Sequence, residues 1–197
     1  MNSINNIEYL NQIINRTASP LKFEEIDQFQ VAYVVKKEDV HHLLSVLKSE
    51  GWKQLSYLSA IDWIDENKFE VVYILFNWEK PVYIQIRTKI DRENPIMDSI
   101  LPIFPGAKYY EREAHEFFGI KFPGNPDYEK QLILEGWDDI PPLRKDFDPK
   151  SYSDRKFPKR DYPQDYSKKD PKNNRLEKRE ARKARATSLR TKGGVER

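Results

Sequence analysis

Ile4, Ile7, Leu10 and Ile14 recur every three or four residues, which predicts an amphipathic first helix fading at Arg16-Thr17. Phe29 to Val35 is β-branched and aromatic and predicts a strand. Val40, Leu43, Leu44 and Leu47 then trace one face of a second helix, with Gly51 placed to stop it. Three more strands are predicted at about 53–61, 69–78 and 82–90, joined by hairpin turns at Asp65-Glu-Asn-Lys68 and Trp78-Glu-Lys-Pro81. Val82, Ile84 and Ile86 alternate with Tyr83, Gln85 and Arg87, as a sheet with one wetter face requires. Pro95, Pro102 and Pro105 forbid a long helix in the next stretch. A third helix is predicted from about 107 to 118, stopping at Gly119. The order α-β-α-β-β-β predicts an α+β fold: a largely antiparallel four-stranded sheet flanked by helices, followed by an extended C-terminal tail.

Charge divides the chain. The net charge is +2, yet residues 148–197 hold 17 of the 34 Lys and Arg but only 8 of the 32 Asp and Glu. The tail is therefore +9 and the body −7. Three regions are expected: an α+β domain over 1–120, an extended docking segment over 121–147 and a basic tail over 148–197. The tail has too few apolar side chains to offset chain ordering alone, so it is expected to order mainly on partners. Within it, Leu176 to Leu189 is expected to become helical on a partner.

Cysteine is absent, which removes thiolate nucleophiles, disulfides and Cys-ligated iron–sulfur clusters. No redox cofactor and no metal are expected in this chain. The seven glycines form neither a dinucleotide-binding nor a P-loop pattern. No apolar run reaches the roughly 20 residues of a membrane span, and the first residues lack a secretory pattern. The expected place is the cytoplasmic face of the cell membrane, peripheral and held there by other subunits. Arg112 and Glu116 lie four apart on the third helix, as do Glu111 and His115, so both pairs are expected to meet along it. A hydrolase built on Glu111, Glu113 and His115 is the reading that needs a pocket. Catalysis or zinc binding there is disfavoured, because the metalloprotease pattern needs two His at i and i+4, whereas the other two, His41 and His42, lie about seventy positions away. At least two of Tyr109, Tyr110, Phe117 and Phe118 are expected in the core.

The span from Tyr110 to Phe147 carries three blocks in order: Glu111-Arg112-Glu113 with Glu116-Phe117-Phe118-Gly119, then Gly124, Pro126 and Asp127, then Leu143-Arg144-Lys145-Asp146. In this layout the chain resembles the 30-kDa subunit family of respiratory complex I, shared with membrane-bound hydrogenases and related energy-converting complexes. Asn125 stands where that family usually has His, and Glu129-Lys130 where it usually has a basic pair. The resemblance implies a non-catalytic hydrophilic-arm subunit of a complex-I-like oxidoreductase. It implies two direct partners, a large hydrogenase-like subunit of the 49-kDa type and an iron–sulfur small subunit, and an indirect link to the membrane arm. The iron–sulfur clusters are expected in those partners. The residues carried over as contacts between subunits are Glu111, Arg112, Glu113, Glu116, Phe117, Phe118, Gly124, Pro126, Asp127, Leu143, Arg144, Lys145 and Asp146. Arg144, Lys145 and Asp146 are expected to leave the domain and lie across the large partner. The rival class is a nucleic-acid-binding α+β domain with a basic tail, in which Tyr152, Phe157, Tyr162 and Tyr166 stack on bases. The acidic body and the three blocks weigh against it, and no nucleic acid is expected as a partner.

Overall fold

The computed structural model describes residues 3–158 and 178–184. The chain divides into two units, Met1–Pro149 and Lys150–Arg197. In the first, helix α1 (Ser3–Thr17) precedes strands β1 (Lys22–Asp27) and β2 (Gln30–Val34) and helix α2 (Lys37–Ser49). Strands β3 (Gln54–Trp63), β4 (Lys68–Phe76) and β5 (Tyr83–Asp91) follow, and then helix α3 (Ala107–Phe118). Helix α4 (Pro149–Lys156) begins where the first unit ends, and residues 178–184 are helical. The rest of the helix expected over Leu176–Leu189 lies outside the described residues, as do Tyr162 and Tyr166.

The periodic apolar positions do what their spacing predicts. Ile7, Leu10 and Ile14 of α1 and Val40, Leu43, Leu44 and Leu47 of α2 are buried. Gly51 ends α2 with φ +107: its N–H bonds Lys48 O and the next N–H, from Trp52, bonds Leu47 O. That pairing satisfies the helix's last carbonyls, and a Cβ there would also come within 2.8 Å of Asn77 Nδ2. The β3–β4 connection turns through Ile64–Glu66 and a left-handed Asn67, whereas Asn77 closes the β4–β5 turn by accepting from the Glu79 and Lys80 amides.

The sheet is largely antiparallel, as expected, but it is mixed and has one strand more than the four expected. It has five strands in the order β1-β2-β5-β4-β3, and β2 pairs with β5 in parallel, with Val31 opposite Ile84 and Tyr33 opposite Ile86. The extra strand, β1, reads KFEEID, is exposed at every position and carries a bulge between Glu25 and Asp27. Charge and irregularity are how a sheet edge avoids recruiting another strand, and they are also what hides β1 from a hydrophobic pattern. The parallel pair is equally invisible locally, because α2, β3 and β4 all intervene between its two strands.

The inner sheet face carries Val31, Tyr33, Leu58, Phe69, Val71, Tyr73, Leu75, Ile84 and Ile86, all buried in one core with α1, α2 and α3. Among the described residues no helix is long and apolar enough to cross a membrane.

Candidate functional site: the signature helix and the segment it holds

Helix α3 buries Ala107, Glu111, Ala114 and Phe118, one stripe down its length. A carboxylate thus falls on the core face, fully buried, and the surrounding chain supplies its partners. Ser99 Oγ donates to Glu111 Oε2 at 2.7 Å, the Ile100 amide to Oε1 at 2.8 Å, and Asn125 Nδ2 to Oε2 at 2.9 Å. Asn125 also donates to Lys108 O and accepts from the Asp127 amide. No cation is among the three donors to Glu111, so burial pushes its pKa above the usual carboxylate range although the hydrogen bonds pull the other way. The node joins α3 to the turn at Ser99 and to the Gly124–Asp127 turn. Asp127 itself is held at about 2 by Lys108 and Lys130, whose ammonium groups lie 2.6 and 2.5 Å from its oxygens.

The pairs expected along α3 do not form. Arg112 donates from Nε to Lys130 O at 3.2 Å and from Nη2 to Gln131 O at 2.6 Å. Glu116 accepts the consecutive amides of Leu132, Ile133 and Leu134 at 2.8–3.2 Å. His115 Nδ1 lies 2.9 Å from Ile120 O instead of meeting Glu111. The reason is backbone satisfaction. Residues 130–134 form neither helix nor strand, so their carbonyls and amides need partners, and side chains one turn apart on α3 provide both kinds. Arg112 is only half-buried. Arg112→Ala is therefore expected to cost about 1 kcal/mol, the net worth of an ordinary hydrogen bond, because both of its bonds are exposed to solvent, while amide exchange at 130–134 accelerates. A loss of several kcal/mol in a thermal melt, or unchanged exchange at Leu132–Leu134, would contradict this assignment.

The third block folds back. Leu143 N bonds Phe117 O at 3.1 Å and Arg144 Nε bonds Phe118 O at 2.8 Å, which satisfies two of the last carbonyls of α3. Gly119 follows at φ +82, and a Cβ on it would stand 2.9 Å from Arg144 Nη2 and 3.3 Å from Pro141. The stop glycine thus also makes room for the returning chain. Asp62, on the inner face of β3, accepts the Lys145 amide at 2.8 Å and both Arg92 Nε and Nη2, at 2.8 and 3.0 Å. Arg92 reaches on to Asp146 at 2.7 Å. Burial opposes ionisation of Asp62, but Arg92 and the Lys145 amide outweigh it and hold its pKa below the usual range. The expectation that Arg144, Lys145 and Asp146 leave the domain is corrected: the Arg144 and Asp146 side chains and the Lys145 amide are spent on α3, β3 and Arg92.

Phe118 is buried against Phe69, and Phe117 and Tyr110 pack partly buried against the core, whereas Tyr109 is 59% exposed. Among the described residues no hydrogen bond or ion pair engages the Glu113 carboxylate. Gly124 and Pro126 are exposed. Among the described residues no group of three or more His, Cys, Asp or Glu side chains is placed to hold a metal.

Three apolar side chains point outward among exposed charged ones such as Lys130, Glu135 and Lys145. Ile133 is 64% exposed, Leu143 51% and Ile140 38%, all on the segment that α3 holds. The residues missed by sequence reasoning are Asp62, Arg92 and Ser99. Asp62 does leave a signal: it shares its parity with buried Leu58 and Ala60, and a carboxylate on a core face needs partners.

Residues 33–153 match the family model described as "Respiratory-chain NADH dehydrogenase, 30 Kd subunit". The chain is 34% identical over 117 residues to the C subunit of NADH-quinone oxidoreductase from Moorella thermoacetica, covering 59% of this chain and 78% of that one. It is 36% identical over 107 residues to the mitochondrial NADH-ubiquinone oxidoreductase 30.4 kDa subunit of Neurospora crassa, covering 54% of this chain but only 37% of the relative. Among solved structures it resembles a chain of the membrane-bound sulfane sulfur reductase, an archaeal respiratory membrane complex, with TM-score 0.72 and 30% identity over 82% of this chain and 97% of that one. The trypsin-resistant fragment (1–134) of Nqo5 shares the fold, with TM-score 0.54 and 22% identity over 62% of this chain and 98% of that one.

Proposed function

The chain belongs to the respiratory-chain NADH dehydrogenase 30-kDa subunit family, and from that premise we propose that it is a non-catalytic docking subunit of a complex-I-like, membrane-bound respiratory oxidoreductase. It binds the large hydrogenase-like subunit and the iron–sulfur small subunit and keeps the electron-delivering module rigid while redox energy drives ion translocation elsewhere. Without cysteine it has no thiolate for a cluster, so electrons pass through its partners. Its place is the cytoplasmic face of the membrane, reached through the other subunits.

One observation carries this reading. Arg112, Glu116, Arg144 and Asp146 spend their side chains inside the chain, and the result is a held segment whose exposed side chains include Ile133, Ile140 and Leu143. Apolar side chains displayed on backbone that is already held cost less further ordering when a partner covers them, which is how pre-organisation raises affinity. Arg112, Glu116, Arg144 and Asp146 then serve the interface by shaping the segment, and Leu143 and Ile133 make the contact. Leu143→Glu is expected to leave the melt of the isolated chain within about 0.5 kcal/mol of wild type, as exposed substitutions do. The same change is expected to abolish co-purification of the large and iron–sulfur subunits. Normal co-purification of both with Leu143→Glu and Ile133→Glu combined would remove the segment as the docking surface.

A further inference from the structure

The family match ends at residue 153, and the most basic part of the chain lies beyond it. In the second unit, residues 178–184 form an exposed helical stretch, KREARKA. Lys178, Arg179, Arg182 and Lys183 occupy positions i, i+1, i+4 and i+5, which at 3.6 residues per turn confines four cations to an arc of about 140°. The apolar side chains of the stretch are Ala181 and Ala184. Glu180 lies beside that arc, so the stretch carries four cations and one anion, a face with charge and without an apolar anchor. It fits a broad, laterally mobile field of negative charge better than a shaped protein pocket, where aromatic or aliphatic anchors supply most of the binding energy.

Resting on the reading that the chain works in a membrane complex, we propose that this basic stretch adsorbs to anionic phospholipid headgroups at the membrane surface. It would act as an electrostatic tether additional to the protein contacts made by the first unit.

One observation favours a bilayer over a nucleic acid. Stacking on bases needs open aromatic faces, but the Tyr152 ring already has the Arg155 guanidinium 5.5 Å and the Lys156 ammonium 6.0 Å from its centroid. Phe157 beside them is 63% exposed, which suits the headgroup boundary as well as a base, and competition by transfer RNA separates the two. The acidic first unit gives the polarity: with 24 Asp and Glu against 17 Lys and Arg through residue 147, it is repelled by the surface that attracts the tail.

The test uses the full chain and K178A/R179A/R182A/K183A with vesicles of phosphatidylcholine alone or mixed with phosphatidylglycerol. Each Lys or Arg near an anionic surface contributes about 1 kcal/mol, so removing four is expected to weaken partitioning onto the mixed vesicles at least about a hundred-fold. Wild type should leave them as salt rises and ignore phosphatidylcholine alone. The charge-preserving K178R/R179K/R182K/K183R variant should bind as wild type does, which separates charge from any effect on helix formation. Equal binding by the alanine variant overturns the proposal, as does equal binding to both vesicle types. Transfer RNA at equal phosphate concentration stripping the wild type from the mixed vesicles would replace it with the nucleic-acid reading. Co-purification of partner subunits with the alanine variant is read separately. If it persists while vesicle binding is unaffected, only the tether fails; if wild type captures no subunits at all, the docking function fails.

Discussion

Glu111→Ala is expected to destabilise the first unit by about 3 kcal/mol or more, because it leaves the Ser99 hydroxyl, the Ile100 amide and the Asn125 amide buried without their acceptor. For a unit of this size that is a fall of about 6–12 °C in the thermal midpoint. Glu111→Gln should lie between, since its carbonyl oxygen still accepts while its NH2 group faces other donors. Asn125→Ala removes one of the three donors to Glu111, together with the bonds to Lys108 O and from the Asp127 amide, and the Glu111→Ala/Asn125→Ala double variant should show a coupling of about 1 kcal/mol or more, as neighbours in one network do. The pH dependence has a definite sign. Burial raises the Glu111 pKa in the folded chain, so between its ordinary value and that raised one the folded state binds the extra proton. Over that window wild type loses stability relative to Glu111→Gln as pH rises, and recovers it as pH falls. An additive double variant, or a gap from Glu111→Gln that does not vary with pH, would show that Glu111 is not the centre of this node.

That node explains why the signature is only half legible as a sequence. The extent of α3 and its stop at Gly119 follow from the prolines before it and the need for a left-handed residue after it, and the structure has them at 107–118 and 119; its buried stripe, which includes Glu111, does not follow. The side-chain partners do not follow. Spacing of four places Arg112 beside Glu116, and an isolated helix would pair them. In the folded chain the irregular backbone at 130–134 competes for both and offers five main-chain groups that otherwise go unpaired. Local charge pattern cannot foresee a competitor that arrives from far along the chain. Asn125 shows the same limit. As a departure from the family pattern it weakens the resemblance, yet in place it is 2% exposed and bonded to Glu111. The sheet divides along the same line. Four strands show themselves by apolar alternation, whereas β1 is hidden by its edge charges and the β2–β5 pairing by its distance in the chain.

Asp62→Ala is the second change with a large expected effect, and it separates fold from display. The Asp62 side chain is fully buried and that of Arg92 12% exposed, so losing the carboxylate leaves a nearly buried guanidinium with only the half-exposed Asp146, and the Lys145 amide with no acceptor. Breaking one partner of a buried pair costs about 3–5 kcal/mol. Asp146→Ala, at the 43% exposed end of the same chain of contacts, should cost under about 1 kcal/mol. Because the folded-state pKa of Asp62 is lowered, its contribution is present above the ordinary carboxylate range and is lost as pH falls through that lowered value. The stability gap between wild type and Asp62→Asn should therefore close in acid, opposite in sign to the gap for Glu111→Gln. Amide exchange gives the local reading. Lys145 and Leu143 should exchange faster in Asp62→Ala, while Leu132–Leu134, held by Glu116, stay protected. If assembly depends on how Leu143 is displayed, Asp62→Ala chains that remain folded at low temperature should still lose the large subunit. Retention of that subunit together with accelerated Leu143 exchange would mean the partner reorders this stretch itself, and the pre-organised contact would shrink to the loop around Ile133.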